Sequence, residues 1–225
     1  MPTGKTIEIE LRYEIVDQAQ LSHFLTSAQH LGTSHDIDIY FDTCGARLWE
    51  RGLFVRTRNN RTLDIKFNRA CLDDPTRAPQ NYCEEHVFEL PLKKSDQKRL
   101  GELLVGLNLE PTDQADFELF KRTNNLFPHY TVAKTRTTYR YGEFTLAVDT
   151  VVDLGAFIEI ELMTNSADEL EAVKARMRRA LEGLNLKPLE RGYAAMLLRK
   201  NDFKNYIKGR YVCEADRAPQ DKILA

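Results

Sequence analysis

Two segments of the sequence place acidic residues two positions apart. The segment IEIEL, which contains Glu8 and Glu10, continues into Arg12, and the segment FIEIEL contains Glu159 and Glu161. In a β-strand alternate side chains share a face, so each segment presents its carboxylates on one side. Like charges at this spacing repel each other unless a cation lies between them. Because carboxylates are the ligands that hard divalent cations prefer, the two segments predict metal binding.

Other segments carry paired basic residues with the same alternation. In LFVRTR, Arg56 and Arg58 share one face of a predicted strand, and in AKTRTT, Lys134 and Arg136 do so. Lys66 lies on the charged face of a third strand, TLDIKFN. Guanidinium and ammonium groups on one face suit an anion with several oxygens, and phosphate is the usual example in proteins.

Two arrangements of these strands explain the charged faces. An antiparallel sheet with one face in water is the simpler arrangement. Against it, the faces opposite the charges are only partly apolar, and the charges are sorted by strand, with acids on some strands and bases on others. A closed barrel with inward-pointing charges would bring both signs together, so we favour the barrel.

The pattern of elements indicates how these faces are positioned. About eight strands and four or five helices follow one another as hairpins and meanders rather than as β-α-β units, which predicts an α+β fold with an antiparallel sheet or barrel. Asp17 is predicted to cap a helix that runs to about residue 31, and Ser166 with Glu169 forms a predicted capping box for a helix over 167–183. Residues 72–81 are predicted to form a loop.

Composition limits the classes of function. The 225 residues carry a net charge of −2, which argues against a nucleic-acid binder. The four cysteines form no CxxC pair, and no segment has the length and apolarity of a signal peptide or a membrane span. We therefore expect a cytoplasmic protein with reduced thiols, built from a domain over 1–200 and a polar C-terminal tail over 201–225, that contacts neither membrane nor nucleic acid.

The order of the charged segments resembles the CYTH superfamily, the triphosphate tunnel metalloenzymes. That family has an ExExK segment, a basic pair, a lysine strand, a glutamate strand, a second basic pair, an aspartate and a second ExE. The corresponding residues here are Glu8-Ile9-Glu10-Leu11-Arg12, Arg56 with Arg58, Lys66, Glu85, Lys134 with Arg136, Asp149, and Glu159-Ile160-Glu161. Arg191 and Tyr193 resemble the family's basic-x-Tyr segment, and the resemblance extends over residues 7–198.

The resemblance implies an eight-stranded antiparallel β-barrel tunnel with flanking helices that holds a linear triphosphate. It implies Mg²⁺ or Mn²⁺ as the cofactor and a small-molecule triphosphate as the partner; a homodimer is left open. The implied phosphate-binding residues are Arg56, Arg58, Lys66, Lys134, Arg136 and Arg191. The implied metal ligands are Glu8, Glu10, Asp149, Glu159 and Glu161, with Glu85 as a further candidate, and the implied catalytic residues are Glu159, Glu161 and Arg12.

Several functions remain compatible with this resemblance. We favour hydrolysis of inorganic triphosphate, with a class IV adenylyl cyclase next, then a thiamine triphosphatase, and finally a binding module without turnover. Arg12 stands where the family has lysine, and arginine cannot accept a proton at ordinary pH. Trp49 precedes the basic pair and either stacks on an organic moiety or belongs to the core. Asp36 and Asp38 lie in a strand whose family counterpart does not bind metal.

Overall fold

The structure, a computed structural model, describes residues 7–74, 82–112, 116–164 and 169–217. Within these ranges the chain forms strands β1 Ile7–Ile15, β2 Gln29–Asp42, β3 Leu53–Arg58, β4 Thr62–Phe67, β5 Tyr82–Glu89, β6 Phe127–Tyr141, β7 Phe144–Val151, β8 Gly155–Thr164 and β9 Leu186–Leu189. It also forms helices α1 Gln18–Leu25, α2 Arg47–Arg51, α3 Arg69–Asp73, α4 Lys94–Gly106, α5 Phe117–Thr123, α6 Leu170–Ala180, α7 Tyr193–Asn201 and α8 Phe203–Tyr206. Of the helices in these ranges, none has the length and apolarity needed to cross a membrane.

Eight of the strands form a closed antiparallel ring. Their order is β5-β4-β3-β2-β6-β7-β8-β1, and β1 pairs back to β5 through residues 7–9. Beyond this closure, β1 also pairs with β9, beginning at Arg12 opposite Leu189. The predicted α+β fold, with eight antiparallel strands and flanking helices, is confirmed.

Four helices, α1, α4, α5 and α6, cover the outer face of the ring and bury the aliphatic side chains of the strands beneath them. On one side, α4 and α5 pack on β3, β4 and β5, where Val55, Ile65 and Phe88 are buried. On the other side, α1 and α6 pack on β1 and β8, where Ile9 and Ile160 are fully buried. Because the aliphatic faces point outward into these two cores, the charged faces of the same strands point into the ring.

Two element boundaries in the structure differ from those predicted from the sequence. Asp17 caps α1 as predicted, accepting a hydrogen bond from the Gln20 amide at 2.9 Å, but α1 ends at Leu25 rather than near residue 31. The chain instead enters β2 at Gln29, which lies opposite Arg140 of β6, so strand pairing replaces the helix's last turn. The predicted loop over 72–81 overlaps α3 up to Asp73, and residues 75–81 lie outside the described residues.

The start of the predicted helix over 167–183 also differs. In the structure α6 covers Leu170–Ala180. Its predicted capping residue, Ser166, lies outside the described residues.

The segment after residue 200 packs against the ring. Tyr206 is fully buried and Val212 is 2% exposed, and both belong to a cluster with Trp49. The Trp49 indole Nε1 donates a hydrogen bond to the Tyr206 carbonyl at 3.0 Å. Tyr206 and Val212 therefore attach part of the predicted polar tail to the ring, and the domain boundary at residue 200 stays a prediction.

Candidate active site

The interior of the ring encloses a cavity of about 210 Å³. Every residue predicted for the site lines it except Asp149: these are Glu8, Glu10, Arg12, Arg56, Arg58, Lys66, Glu85, Lys134, Arg136, Glu159, Glu161 and Arg191. The structure thus brings together in one cavity the charged residues that strand alternation and the family resemblance singled out, and their chemical roles stay predictions.

Three carboxylates converge on one side of the cavity. Glu8, Glu10 and Glu161 each present an oxygen, and these oxygens lie within 4.8 Å of one another. Glu10 and Glu161 are direct partners in the β1–β8 pair. Burial, followed by the charges of Glu159 and Glu8, raises the pKa of Glu161 to about 8. Such mutual repulsion between oxygen ligands is what a hard divalent cation relieves, so the donor set fits Mg²⁺ or Mn²⁺.

Glu159 lies beside this cluster but is held by two arginines. It is 3% exposed and accepts hydrogen bonds from Arg12 and Arg136. Burial alone would raise the pKa of Glu159, but the charges of Arg12 and Arg136 hold it well below its ordinary value. Arg12 also donates to Glu10 at 2.8 Å, so it connects Glu159 to the carboxylate cluster.

Asp149 lies behind the cavity wall. It is fully buried, and its carboxylate accepts hydrogen bonds from Lys134 at 3.1 Å and from Arg136 at 2.7 and 2.6 Å. The family resemblance implied that Asp149 is a metal ligand, but the structure does not bring it into the cluster of Glu8, Glu10 and Glu161. Its contacts are those of a positioning residue that fixes two cations of the wall.

Aspartates also fix the first basic pair. Arg56 donates to Asp38 at 3.1 Å and to Asp64 at 3.0 Å, while Arg58 donates to Asp38 at 2.8 and 3.1 Å. Burial would raise the pKa of Asp38, but the hydrogen bond from Arg58 and the charge of Arg56 hold it below its ordinary value. The sequence did not assign Asp38 or Asp64 to the site; their signal was their place on the charged faces of β2 and β4.

Lys66 joins the basic wall to the carboxylates. Its Nζ lies 3.0 Å from Glu8 and 3.1 Å from Glu85. Burial would lower the pKa of Lys66, but the acidic groups around it, with Glu8 first and Glu85 among them, together hold the pKa above its ordinary value. Glu85 therefore faces the cavity as predicted, whereas the neighbouring Glu84 lies 3.9 Å from His86.

The remaining cations lie near α7. Burial, and then the charge of Arg136, lower the pKa of Lys134. Arg191 donates to the carbonyls of Glu190 and Val212, both at 2.9 Å.

Trp49 reaches the cavity wall but is only 1% exposed, which makes it a core residue rather than a free stacking surface.

A comparison with family profiles matches the CYTH domain over residues 6–193. The chain belongs to the CYTH family. Members of this family are triphosphate tunnel enzymes and depend on metal in general, which agrees with a ring that holds carboxylates and cations in one cavity. No curated protein was found to match the sequence.

Solved structures show the same CYTH fold. A candidate adenylate cyclase from Vibrio parahaemolyticus is 16% identical, with a TM-score of 0.56 over 85% of this chain and 97% of that chain. A protein from Pyrococcus horikoshii is 22% identical, with a TM-score of 0.55 over 86% and 99% of the two chains. A candidate adenylyl cyclase from Hippeastrum, described as having a dominant triphosphatase activity, is 17% identical, with a TM-score of 0.54 over 87% and 96%.

Proposed function

We propose that this CYTH protein hydrolyses a linear triphosphate, with inorganic triphosphate as the substrate and Mg²⁺ or Mn²⁺ as the cofactor. One observation carries the proposal: the cluster of Glu8, Glu10 and Glu161 shares a cavity with a wall of cations. A phosphate-binding site alone has no need of three converging carboxylates. A triphosphate suits the wall of cations, and a divalent cation suits the carboxylate cluster, so the two together match the cavity.

The cationic wall would bind and align the substrate. Arg56, Arg58, Lys66, Lys134 and Arg136 all line the cavity, and their carboxylate partners fix their positions before any ligand enters. Phosphoryl transfer is catalysed mainly by alignment and by neutralisation of charge on the phosphoryl oxygens. A prearranged wall supplies both without further movement of its side chains.

The carboxylate cluster would hold the metal. Glu8, Glu10 and Glu161 supply the oxygen ligands, and a divalent cation there neutralises phosphate charge and lowers the pKa of a bound water. Glu159 and Arg12 lie next to the cluster, where they would position the reacting groups. Since Arg12 is protonated at ordinary pH, it would donate to phosphate oxygens rather than accept a proton.

The aromatic lining favours an inorganic substrate over a nucleotide. Tyr40 stacks on Tyr130 with a centroid distance of 4.7 Å, and Phe54 packs against Trp49 and Tyr211 at 5.8 and 5.4 Å. These rings contact one another, so they offer little free face to a base or a thiazolium ring. Because two of the similar solved structures are candidate cyclases, ATP cyclisation is the second function to test.

The decisive experiment measures phosphate release from inorganic triphosphate, ATP and thiamine triphosphate with Mg²⁺ or Mn²⁺, and separates the products from ATP. We expect rapid release from the inorganic substrate and a loss of more than about tenfold in Glu161→Gln, because one metal ligand is removed. Glu143→Gln is the matched control, since Glu143 pairs with Arg176 at 2.9 Å at an exposed position.

Other outcomes of this experiment would replace the proposal. Cyclic AMP and pyrophosphate from ATP would identify a cyclase. Tight binding of triphosphate without turnover would identify a binding module. The proposal includes a cytoplasmic location with a small-molecule partner.

A further inference from the structure

One edge of strand β2 extends beyond the pairing that closes the ring. On one side β2 pairs with β6 from Gln29 to Asp42, whereas on the other side β3 pairs only with Asp38–Phe41. The last contact on that second side is made by Asn59, whose amide donates to the Ile37 carbonyl at 2.9 Å and whose side chain accepts from the Ile37 amide at 2.8 Å. Among the described residues, no strand pairs with this edge of β2 before Ile37.

The open edge presents backbone groups that can form hydrogen bonds. The N–H and C=O groups of a strand point alternately to its two edges. Because both groups of Ile37 point to the edge shared with β3, those of Thr33 and His35 point to the same edge. Their side chains contact Thr137 and Thr135 of β6, at 3.2 and 3.0 Å, and both residues are exposed. An exposed edge of this kind is a template for pairing with another strand.

Two features limit the open edge to residues 32–36. At one end, the β-bulge between His30 and Gly32 interrupts the register, and a bulge bends its strand. At the other end, Asn59 occupies the edge from Ile37 onward. The segment GTSHD between them contains no proline and no lysine, two residues that commonly block pairing at an edge.

This segment is complementary to a second copy of itself. In an antiparallel pair with a two-fold axis at Ser34, Thr33 of one copy lies opposite His35 of the other, and each such pair exchanges two backbone hydrogen bonds. This register uses all the edge-facing groups of Thr33 and His35. The bulge of one copy then meets the end of the open edge on the other. Leu31 and Ile37, which are 49% and 51% exposed, flank the segment, so Leu31 of one copy comes beside Ile37 of the other.

We propose that the chain forms a two-fold dimer in which residues 32–36 of two copies pair edge to edge. No like charges oppose each other in this register, because Thr33 meets His35 and Ser34 meets Ser34, and the one acid, Asp36, is 6% exposed. A pairing of this length covers less than the roughly 800 Å² per partner that a standard interface buries, so we expect a weak dimer with a Kd of about 10–100 µM. The dimer does not rest on the function proposed above.

A cysteine at position 34 tests the axis of the dimer. In the proposed register the two Ser34 residues form a non-hydrogen-bonded pair with Cα atoms about 4.5 Å apart, which a disulfide can bridge. We expect Ser34→Cys to form a covalent dimer on mild oxidation, in a Cys44→Ser background that removes the exposed native thiol. Thr33→Cys is the matched control. The two residues at position 33 lie on a diagonal of about 7–8 Å, so their crosslinking should be roughly tenfold slower.

Sedimentation of the full chain over a range of concentrations measures the Kd of the dimer. Thr33→Pro removes an amide that points to the open edge and not to β6, so the pairing within the ring is kept. We expect the Kd to rise by about tenfold or more with a melting temperature close to that of the wild type. Thr33→Ala is the control, because it keeps the amide and should dimerise as the wild type does.

The outcomes decide the proposal. A chain that stays monomeric at about 1 mM, or a dimer that Thr33→Pro leaves unchanged, would overturn it. Equal rates of crosslinking in Ser34→Cys and Thr33→Cys would overturn it as well. Selective crosslinking at position 34, together with a dimer that Thr33→Pro weakens and Thr33→Ala does not, would support it.

Discussion

Arg12 and Glu159 are direct partners across the β1–β8 pair, and the Arg12 guanidinium bonds both to Glu159 and to Glu10. A side chain that stands where the family has lysine therefore connects the carboxylate cluster to the rest of the cavity. A divalent cation that binds Glu10 competes with this guanidinium for the same carboxylate. The metal requirement of the protein should depend on residue 12.

Arg12→Lys should lower the Mg²⁺ concentration needed for half-maximal phosphate release. A lysine ammonium is a single point charge, whereas the arginine uses two separate nitrogens to hold Glu10 and Glu159. Losing the charge-assisted bond to Glu10 would leave that carboxylate free for metal, a change of roughly tenfold in affinity. Arg140→Lys, at an exposed position of β6, is the control, and an unchanged Mg²⁺ dependence in Arg12→Lys would contradict the idea.

Arg58→Ala and Arg56→Ala should differ in stability while both impair binding. Arg58 shares its partner Asp38 with Arg56, so its loss leaves Asp38 paired; we expect a KM raised by about tenfold or more and a small change in melting temperature. Loss of Arg56 leaves Asp64, which is 2% exposed, without that partner. An unpaired buried charge costs about 3–5 kcal/mol, so Arg56→Ala should also melt at a lower temperature.

The measurements for this pair are steady-state kinetics on triphosphate and thermal melting. Arg61→Ala, at an exposed turn position, reports the effect of losing a charge alone. Equal melting temperatures for Arg56→Ala and Arg58→Ala would show that Asp64 does not depend on Arg56.

Asp38→Asn should destabilise the protein by about 3 kcal/mol at neutral pH, because two arginines lose their shared carboxylate. The pKa of Asp38 is lower in the folded protein than its ordinary value of 3.8. Its contribution to stability is therefore complete above that value, and it is lost as the pH falls through the folded-state pKa.

Urea unfolding at several pH values checks this expectation. The difference between wild type and Asp38→Asn should stay constant from about pH 7 to pH 5 and shrink only below about pH 4. Asp17→Asn is the control, since asparagine caps a helix as well as aspartate does. A difference that already shrinks between pH 7 and pH 5 would mean that the pKa of Asp38 is not lowered.

Gly209→Ala should destabilise the packing of the C-terminal segment on the ring. A Cβ at this position would overlap the Trp49 indole, whose Nε1 bonds the Tyr206 carbonyl. Overpacking of this kind costs about 1–3 kcal/mol, which corresponds to a fall of about 3–10 °C in melting temperature. Gly45→Ala is the control, because a Cβ at Gly45 would meet only Arg47 Cγ, at 3.9 Å. Equal melting temperatures for the two variants would contradict the prediction.

Strand alternation predicted which side chains enter the ring, but it did not predict what holds them there. Glu8, Arg56 and Lys66 could be assigned to an inner face from their own strands, because alternation is a local property. The bond from Arg56 to Asp64 depends on the register between β3 and β4, and the bond to Asp38 depends on β2. Register is set by turns and by packing, which the spacing of residues along one strand does not contain.

The features that the sequence did not predict were missed for the same reason, because they too depend on contacts between separate segments of the chain. The end of α1 gives way to β2 because β6 offers a partner strand more than a hundred residues away along the chain. The burial of Tyr206 depends on Trp49, and the place of Tyr193 in the cavity wall depends on where α7 meets the ring. Each is a contact between distant segments, so local propensity could not indicate it.

Closure of the ring determines the order in which the strands can pair while the chain is synthesised on the ribosome. Strand β1 has only a three-residue pairing with β5 to occupy it until β8, residues 155–164, has been synthesised. Until then the edge of β1 is open to pairing with another nascent chain, and its aliphatic face is not yet covered by α6. Contacts of such long sequence separation form slowly. The β1–β8 pairing, which places Glu10 opposite Glu161, therefore forms late in synthesis, after a long interval in which that edge of β1 has no partner strand.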